Sequence, residues 1–445
     1  MTEKKYRFRR LTSFQRILLG FVGVIMVGTL LLMLPIASKA GNVTKFTDAL
    51  FTATSAVCVT GLVVKDTATY WSLFGQSLIL ILIQIGGLGI VTVVASFNML
   101  SGRKISLLQR STMQDAISAP KVGGIVRLTG FILKMTFAIE LIGALLMMPV
   151  FVREHGFRGV WMAFFHSVSA FCNAGFDIMG TTEANFASLV HYANNPVINI
   201  VVMLLIIIGG IGFLTWDDIR ENKWKIKRYG MQTKTILITT AVLIAFPALY
   251  YYIAEYHTLS GGERIWVSLF QAITPRTAGF NTADLTKMSE IGLVIMIFLM
   301  LIGGSPGSTA GGMKTTTIAV LFSNAFSVFG RKEDTHLFGR RIEEHVVRNA
   351  ATILLMYITL FVGSGLIISG IEKIPVGTCL FETASAIGTV GLTLGITPNL
   401  SVISQLILIC LMFFGRVGGL TIIYAAFSGT KKTQARLPLQ KITVG

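Results

Sequence analysis

The chain has 445 residues, of which 53% are hydrophobic and only 13% charged, and its mean hydropathy is +0.71. This composition excludes a water-soluble globular protein, and many apolar runs approach the ~20 residues that cross ~30 Å of hydrocarbon as a helix. The net charge of +17 would suit nucleic acid or a membrane surface, but 26 of the 38 Lys and Arg fall in five short segments, 1–16, 98–128, 217–235, 326–348 and 429–445, set between apolar stretches.

Positive-inside bias predicts those five segments, both termini included, on the cytoplasmic side of a multi-pass plasma-membrane protein, touching membrane lipid and no nucleic acid. After the basic segment 1–16, the apolar run Ile17–Ile36 is 20 residues long. A signal-peptide core is about 7 to 15 residues, so the run is read as a retained helix. Thr44–Val57 is about 21 Å long at 1.5 Å per residue, too short to span, and is predicted to enter the membrane and stop. Leu62–Ser72 returns to the surface and Leu73–Phe97 spans again.

The same order recurs three times. Leu128–Val152 spans, Gly159–Cys172 is a half-helix and Val197–Trp216 spans. Ile236–Ile253 spans, Ile265–Thr274 is a half-helix and a second span begins at Ile291. Ala350–Ile371 spans, Val376–Ile387 is a half-helix and Val402–Phe427 spans. The predicted fold is an all-α polytopic membrane protein with eight transmembrane helices and four re-entrant pore segments. These form four pseudo-symmetric repeats of helix, pore helix, filter and helix around one central pore. The repeats are 17–97, 128–216, 236–325 and 350–428, joined by cytoplasmic linkers 98–127, 217–235 and 326–349 and flanked by a basic N-terminus 1–16 and a C-terminus 429–445. Cys58, Cys172 and Cys410 lie in apolar segments and Cys379 in a pore-helix candidate, so no disulfide framework is expected.

Each half-helix ends in a copy of one short motif. Aligned on glycine, the copies read Val59-Thr60-Gly61-Leu62, Asn173-Ala174-Gly175-Phe176, Thr277-Ala278-Gly279-Phe280 and Thr389-Val390-Gly391-Leu392, at intervals of 114, 104 and 112 residues. Regular self-similarity means repeated units, and glycine permits backbone angles that aim carbonyl oxygens at a pore axis. The three residues ending at each glycine are therefore candidate cation ligands through their backbone carbonyls.

The third repeat breaks its second span with an intramembrane loop, 303–315, Gly303-Gly304-Ser305-Pro306-Gly307-Ser308-Thr309-Ala310-Gly311-Gly312-Met313-Lys314-Thr315. Gly307 and Gly312 have phosphate-loop spacing, but Met313 stands where the lysine belongs and a membrane span precedes it, so a nucleotide site fails. Such a stretch cannot form a continuous helix. At membrane depth it must line a cavity, as a mobile gate below the filter or as a passive kink. Arg416, far from both ends of its span, costs roughly 2.5 to 3.5 kcal/mol to bury in a bilayer, which favours a pore-facing or carboxylate-paired position. Gate candidates are Gly303, Gly304, Gly307, Gly311, Gly312, Lys314 and Arg416. Glu382 is a candidate partner for Arg416 or Lys314, with the cap of a polar cavity as an equal alternative. Lys134 is read as snorkelling from a helix end. The clusters Gly86-Gly87-Leu88-Gly89 and Gly209-Gly210-Ile211-Gly212 are read as close helix contacts. Six histidines show no metal spacing and no Gly-x-Ser-x-Gly elbow occurs, so the chain is read as a transporter and not an enzyme.

The four filter glycines, the Gly-Gly-Ser-Pro-Gly-Ser-Thr-Ala-Gly-Gly-Met-Lys stretch and Arg416 together resemble the Trk/Ktr/HKT superfamily of potassium transporters, most closely its Ktr-type membrane component. The resemblance covers essentially the whole chain. It implies one pore per chain, a homodimer with two pores, and a cytoplasmic ring of nucleotide-binding, RCK-type regulatory proteins. It implies potassium as the transported ion, sodium as a candidate activator, no organic cofactor, and sodium passage when serine replaces the first glycine. Sodium- or proton-coupled symport is the alternative, with a membrane enzyme behind it. Gly279 follows Pro275-Arg276, so the third copy departs most from the others.

Overall fold

The computed structural model describes residues 12–101, 105–117 and 123–426, with 438 and 440. Most of the basic N-terminus, parts of the first linker and nearly all of the C-terminal segment therefore lie outside the described residues.

The described residues are mostly helical, and their helices recur in one order: a long helix, a short one, and a broken one. The first group is α1 (Ser13–Leu32), α2 (Phe46–Val57), α3 (Leu73–Leu88), α4 (Ile90–Leu100) and α5 (Leu107–Ile117). The second is α6 (Ile125–His155), α7 (Arg158–Phe171), α8 (Pro196–Gly210) and α9 (Phe213–Asn222). The third is α10 (Met231–Tyr250), α11 (Gly261–Ile273), α12 (Glu290–Leu301) and α13 (Thr315–Phe329). The last is α14 (Glu344–Glu372), α15 (Val376–Gly388), α16 (Val402–Val417) and α17 (Gly419–Ala426). A two-residue hairpin pairs His336 with Arg341 and Leu337 with Arg340 between α13 and α14.

Among the described residues four helices, α1, α6, α10 with its continuation to Glu255, and α14, are long and apolar enough to cross a membrane alone; counting two bent pairs as single spans raises this to six, against the eight expected. The difference lies in the second span of each group. The expected continuous spans Leu73–Phe97 and Val197–Trp216 bend by 96° and 95°, and Val402–Phe427 is interrupted at Gly418. The breaking residues Gly89, Gly212 and Gly418 have φ of 82°, 94° and 85° with ψ of 135°, 143° and 130°, a region that only glycine occupies without strain. In the third group Ile302 ends α12 and the break widens into residues 303–314. Gly86, Gly209 and Gly415 lie just before the other breaks. A side chain on any of them would strike the carbonyl of Val57, Phe171 or Ile387, at or near the end of the short helix in the same group. In these three groups the broken helix thus rests directly on the end of the short one.

Candidate ion pathway

The four glycines close a ring in chain order. A Cβ on Gly61 would come within 2.6 Å of the Ala174 carbonyl oxygen and one on Gly175 within 2.8 Å of that of Ala278; one on Gly279 would strike the Val390 carbonyl and one on Gly391 that of Thr60. Residues separated by more than a hundred positions are therefore in backbone contact, and each contact pairs a glycine with the carbonyl just before the next one.

Their backbone is shaped alike. The glycines have φ of 93°, 67°, 82° and 95°, and the residue two before each is left-handed as well: Val59 at 51°, Asn173 at 57°, Thr277 at 67° and Thr389 at 52°. A left-handed valine or threonine costs of order 1–3 kcal/mol and persists only where its surroundings impose it. Alternating handedness turns successive peptide planes the same way, so consecutive carbonyls gather on one side rather than alternating as in a strand. The sequence shows the glycines but not the strained residue before them. The two residues that precede each glycine are fully buried in all four copies.

A hydroxyl near the end of each short helix fastens the segment. Ser55 accepts from the Gly61 N–H at 3.1 Å and Ser385 from the Gly391 N–H at 3.0 Å. Ser169 donates to the Phe176 carbonyl at 2.7 Å, and Thr274 donates to that of Phe280. Asn173 ties the second segment to the third by donating to the Arg276 carbonyl at 3.2 Å and to the Thr277 hydroxyl at 3.3 Å. The recurrence of a hydroxyl residue five or six positions before each glycine is the sequence signal for these fasteners. Replacing Ser385 by alanine leaves the buried Gly391 N–H without its partner, a loss of roughly 1–3 kcal/mol. Ser385→Ala is expected to lower the melting temperature, whereas Ser385→Thr retains it. Matched melting in all three proteins would show the fastener to be dispensable.

Two cavities flank the ring. The outer one, about 380 Å³, is lined by the four glycines together with Asp66, Asp177 and Asp284. Asp284 accepts from the Thr286 hydroxyl at 2.6 Å, which holds its carboxyl below the usual carboxylate range. Asp66 bridges groups by accepting from Thr69 N–H and Phe186 N–H, each at 2.7 Å. The inner cavity, about 320 Å³, is lined by Gly307, Gly312, Lys314 and Arg416 among others.

Residues 303–314 leave α12 and return to α13 through a narrow neck, where the Gly303 N–H donates to the Met313 carbonyl at 2.8 Å. Between those points the loop lies across the group boundaries. Ser305 and Thr309 donate through their N–H groups to the carbonyls of Gly210 and Gly209 at 2.9 and 3.2 Å, and Gly312 N–H donates to Gly415 O at 3.2 Å. The Thr309 hydroxyl reaches the Phe171 carbonyl at 3.1 Å. A Cβ on Gly312 would meet the Gly388 carbonyl at 2.9 Å, and one on Gly311 would strike Thr389. Lys314 folds back, donating to Ala310 O at 2.8 Å and Gly311 O at 3.2 Å.

Arg416 does not meet Glu382. Its guanidinium donates to the carbonyls of Thr309, Gly86 and Gly87, the last at 3.2 Å, and so joins α16 to the loop and to the end of α3. Glu382 accepts instead from the hydroxyls of Thr393 and Thr397, the latter at 2.9 Å, and from Leu394 N–H at 3.3 Å. Of the two positions expected for Arg416, pore-facing or carboxylate-paired, the second is replaced by a carbonyl-capped one at the wall of the inner cavity, because the break after α3 frees helix-end carbonyls that need donors. Among the described residues no cluster of three or more His, Cys, Asp or Glu has the geometry of a metal site.

The family model TrkH, described as "Cation transport protein", matches residues 1–432. The chain is 40% identical to the potassium/sodium uptake protein NtpJ of Enterococcus hirae, with both proteins covered in full. It is 37% identical to the Ktr system potassium uptake protein B of Bacillus subtilis, over 100% of this chain and 99% of that one. The crystal structure of the potassium transporter TrkH from Vibrio parahaemolyticus superposes with a TM-score of 0.72 at 19% identity, over 95% of this chain and 86% of the other.

Proposed function

The chain belongs to the TrkH family of cation transport proteins, and from this membership and the geometry of the glycine ring we propose that it is the ion-conducting component of a potassium uptake system in the plasma membrane. The observation that carries the reading is the ring itself, in which each glycine meets the carbonyl preceding the next. A dehydrated potassium ion is then held by the carbonyls of Val59, Thr60 and Gly61 and their counterparts through Thr389, Val390 and Gly391, which replace its hydration shell. The four short helices stop just before the ring, so the partial negative charge of their C-terminal ends favours a cation there. The outer aspartates raise the local cation concentration at the mouth.

In this reading the four groups, 17–97, 128–216, 236–325 and 350–428, are pseudo-symmetric repeats around one pore, both termini are cytoplasmic, and the loop 303–314 with Arg416 is a gate. A homodimer and a cytoplasmic ring of nucleotide-binding regulatory proteins complete the system, the ring biasing a loop that this chain alone leaves in place. Relatives named for potassium and for potassium with sodium make sodium the second ion to weigh. A reversal-potential measurement on protein in liposomes under opposed potassium and sodium gradients tests both. Reversal at the potassium equilibrium potential is expected. A reversal that tracks a fixed combination of the two gradients would instead establish coupled symport, and no potassium current or uptake at all would overturn the proposal.

A further inference from the structure

A third cavity, of about 720 Å³, opens where α5, α6 and α9 meet, on the face assigned above to the cytoplasm. Four cations converge on it from three elements: Arg110 of α5, Arg127 and Lys134 of α6, and Arg220 of α9. Arg220 pairs with Asp217 at 2.6 Å and lays its guanidinium 4.2 Å over the Phe131 ring. Among the described residues the other three have no ion-pair partner, and all are exposed.

The depth of these residues matters. Lys134 lies nine residues into α6, about 14 Å along it at 1.5 Å per residue, on a helix whose exposed face continues with Met135, Phe137 and Leu141. Exposed there with no acid paired to it among the described residues, its snorkelling ammonium takes a counter-charge from the lipid phosphates at the membrane surface. Met99 and Phe131 form the apolar part of the same wall, so a ligand must present an anion toward Arg110, Arg127 and Lys134 and apolar chains toward the hydrocarbon. Basic pockets between helices at the cytoplasmic leaflet bind anionic head groups in this manner.

We infer that this cavity is a binding site for one anionic phospholipid, its phosphate held by Arg110, Arg127 and Lys134 and its acyl chains laid against the exposed face of α6. The inference rests on the orientation proposed above but not on potassium transport, and the test reads binding directly.

The test uses native mass spectrometry of the purified full-length protein with added phosphatidylglycerol, and phosphatidylcholine as the zwitterionic reference. Each basic residue near an anionic surface is worth roughly a fivefold gain in affinity. The Arg110→Gln, Arg127→Gln, Lys134→Gln variant is therefore expected to lose at least about tenfold in phosphatidylglycerol preference while remaining monodisperse. The Lys223→Gln, Lys225→Gln, Lys227→Gln variant removes the same charge from exposed positions outside the cavity and is expected to keep the wild-type preference. Equal losses in both variants would reduce the effect to bulk surface charge and overturn the site. So would unchanged binding in the first variant, or displacement of the lipid by millimolar glycerol phosphate. Should the triple variant aggregate, Lys134→Gln alone is read against the same reference.

Discussion

Gly61→Ser is expected to raise sodium uptake relative to potassium by about tenfold, the equivalent of roughly 1.4 kcal/mol. Gly61 has φ of 93°, and a Cβ there would come within 2.6 Å of the Ala174 carbonyl oxygen and 3.0 Å of the Gly175 Cα. The new side chain cannot be accommodated without moving the second segment, and it brings a hydroxyl to a site otherwise made of carbonyls. A ring whose spacing has changed on one side no longer matches the larger ion, and the smaller, more strongly hydrated ion gains from the added dipole. Strain alone is a competing cause, since an L-residue at this φ costs on the order of 1–3 kcal/mol wherever it occurs. Gly89→Ser separates the two. Gly89 has φ of 82° with nothing within 4 Å of a Cβ, so it carries the backbone penalty without touching the ring. It is expected to lower uptake of both ions alike and leave their ratio unchanged. Uptake of each ion in a potassium-transport-deficient cell, at matched protein level, decides the matter. A wild-type ratio for Gly61→Ser would remove the ring from any role in selectivity.

What the sequence reveals and conceals here follows from the kind of signal each feature leaves. The short helices are legible because their length is set against a fixed bilayer thickness. Their expected ends at Val57, Cys172, Thr274 and Ile387 fall within one residue of the observed Val57, Phe171, Ile273 and Gly388. The glycines are legible because four copies share a register. The breaks at Gly89, Gly212 and Gly418 are not, because hydropathy runs through glycine undisturbed and only the backbone angles mark the bend. Arg416 shows the same limit. Its charge at membrane depth is obvious, but its partners are the Thr309 carbonyl of the loop and the helix-end carbonyls of Gly86 and Gly87, and an unpaired carbonyl has no signature in a sequence. A search for a carboxylate therefore lands on Glu382, whose own partners are the hydroxyls of Thr393 and Thr397.

Deleting Gly307 to Gly311 is expected to raise potassium uptake at saturating substrate, and Arg416→Ala is expected to change the maximal rate more than the ion preference. The loop crosses from α12 to the ends of α7 and α8 and to α16, and Arg416 clasps it through the Thr309 carbonyl. Ions that have passed the ring would meet backbone and a guanidinium where the loop and Arg416 line the inner cavity. A unit charge about 10 Å from a cation, at an effective dielectric of 20, opposes it by about 1.7 kcal/mol, so its removal is worth roughly 15- to 20-fold in rate. The same contacts support a purely structural role. Without Arg416 the carbonyls of Thr309, Gly86 and Gly87 lose a donor, each loss costing roughly 1–3 kcal/mol when buried, and the amount of folded protein falls. Uptake must therefore be normalised to folded protein in the membrane. Arg416→Lys then distinguishes charge from clasp, because an ammonium keeps the charge but cannot fork between carbonyls on separate elements. If the charge forms the barrier, the lysine variant stays slow and the alanine variant is fast. If the clasp holds the loop shut, both are fast. Normalised rates at the wild-type value for the deletion and for both substitutions would mean that neither the loop nor Arg416 controls passage.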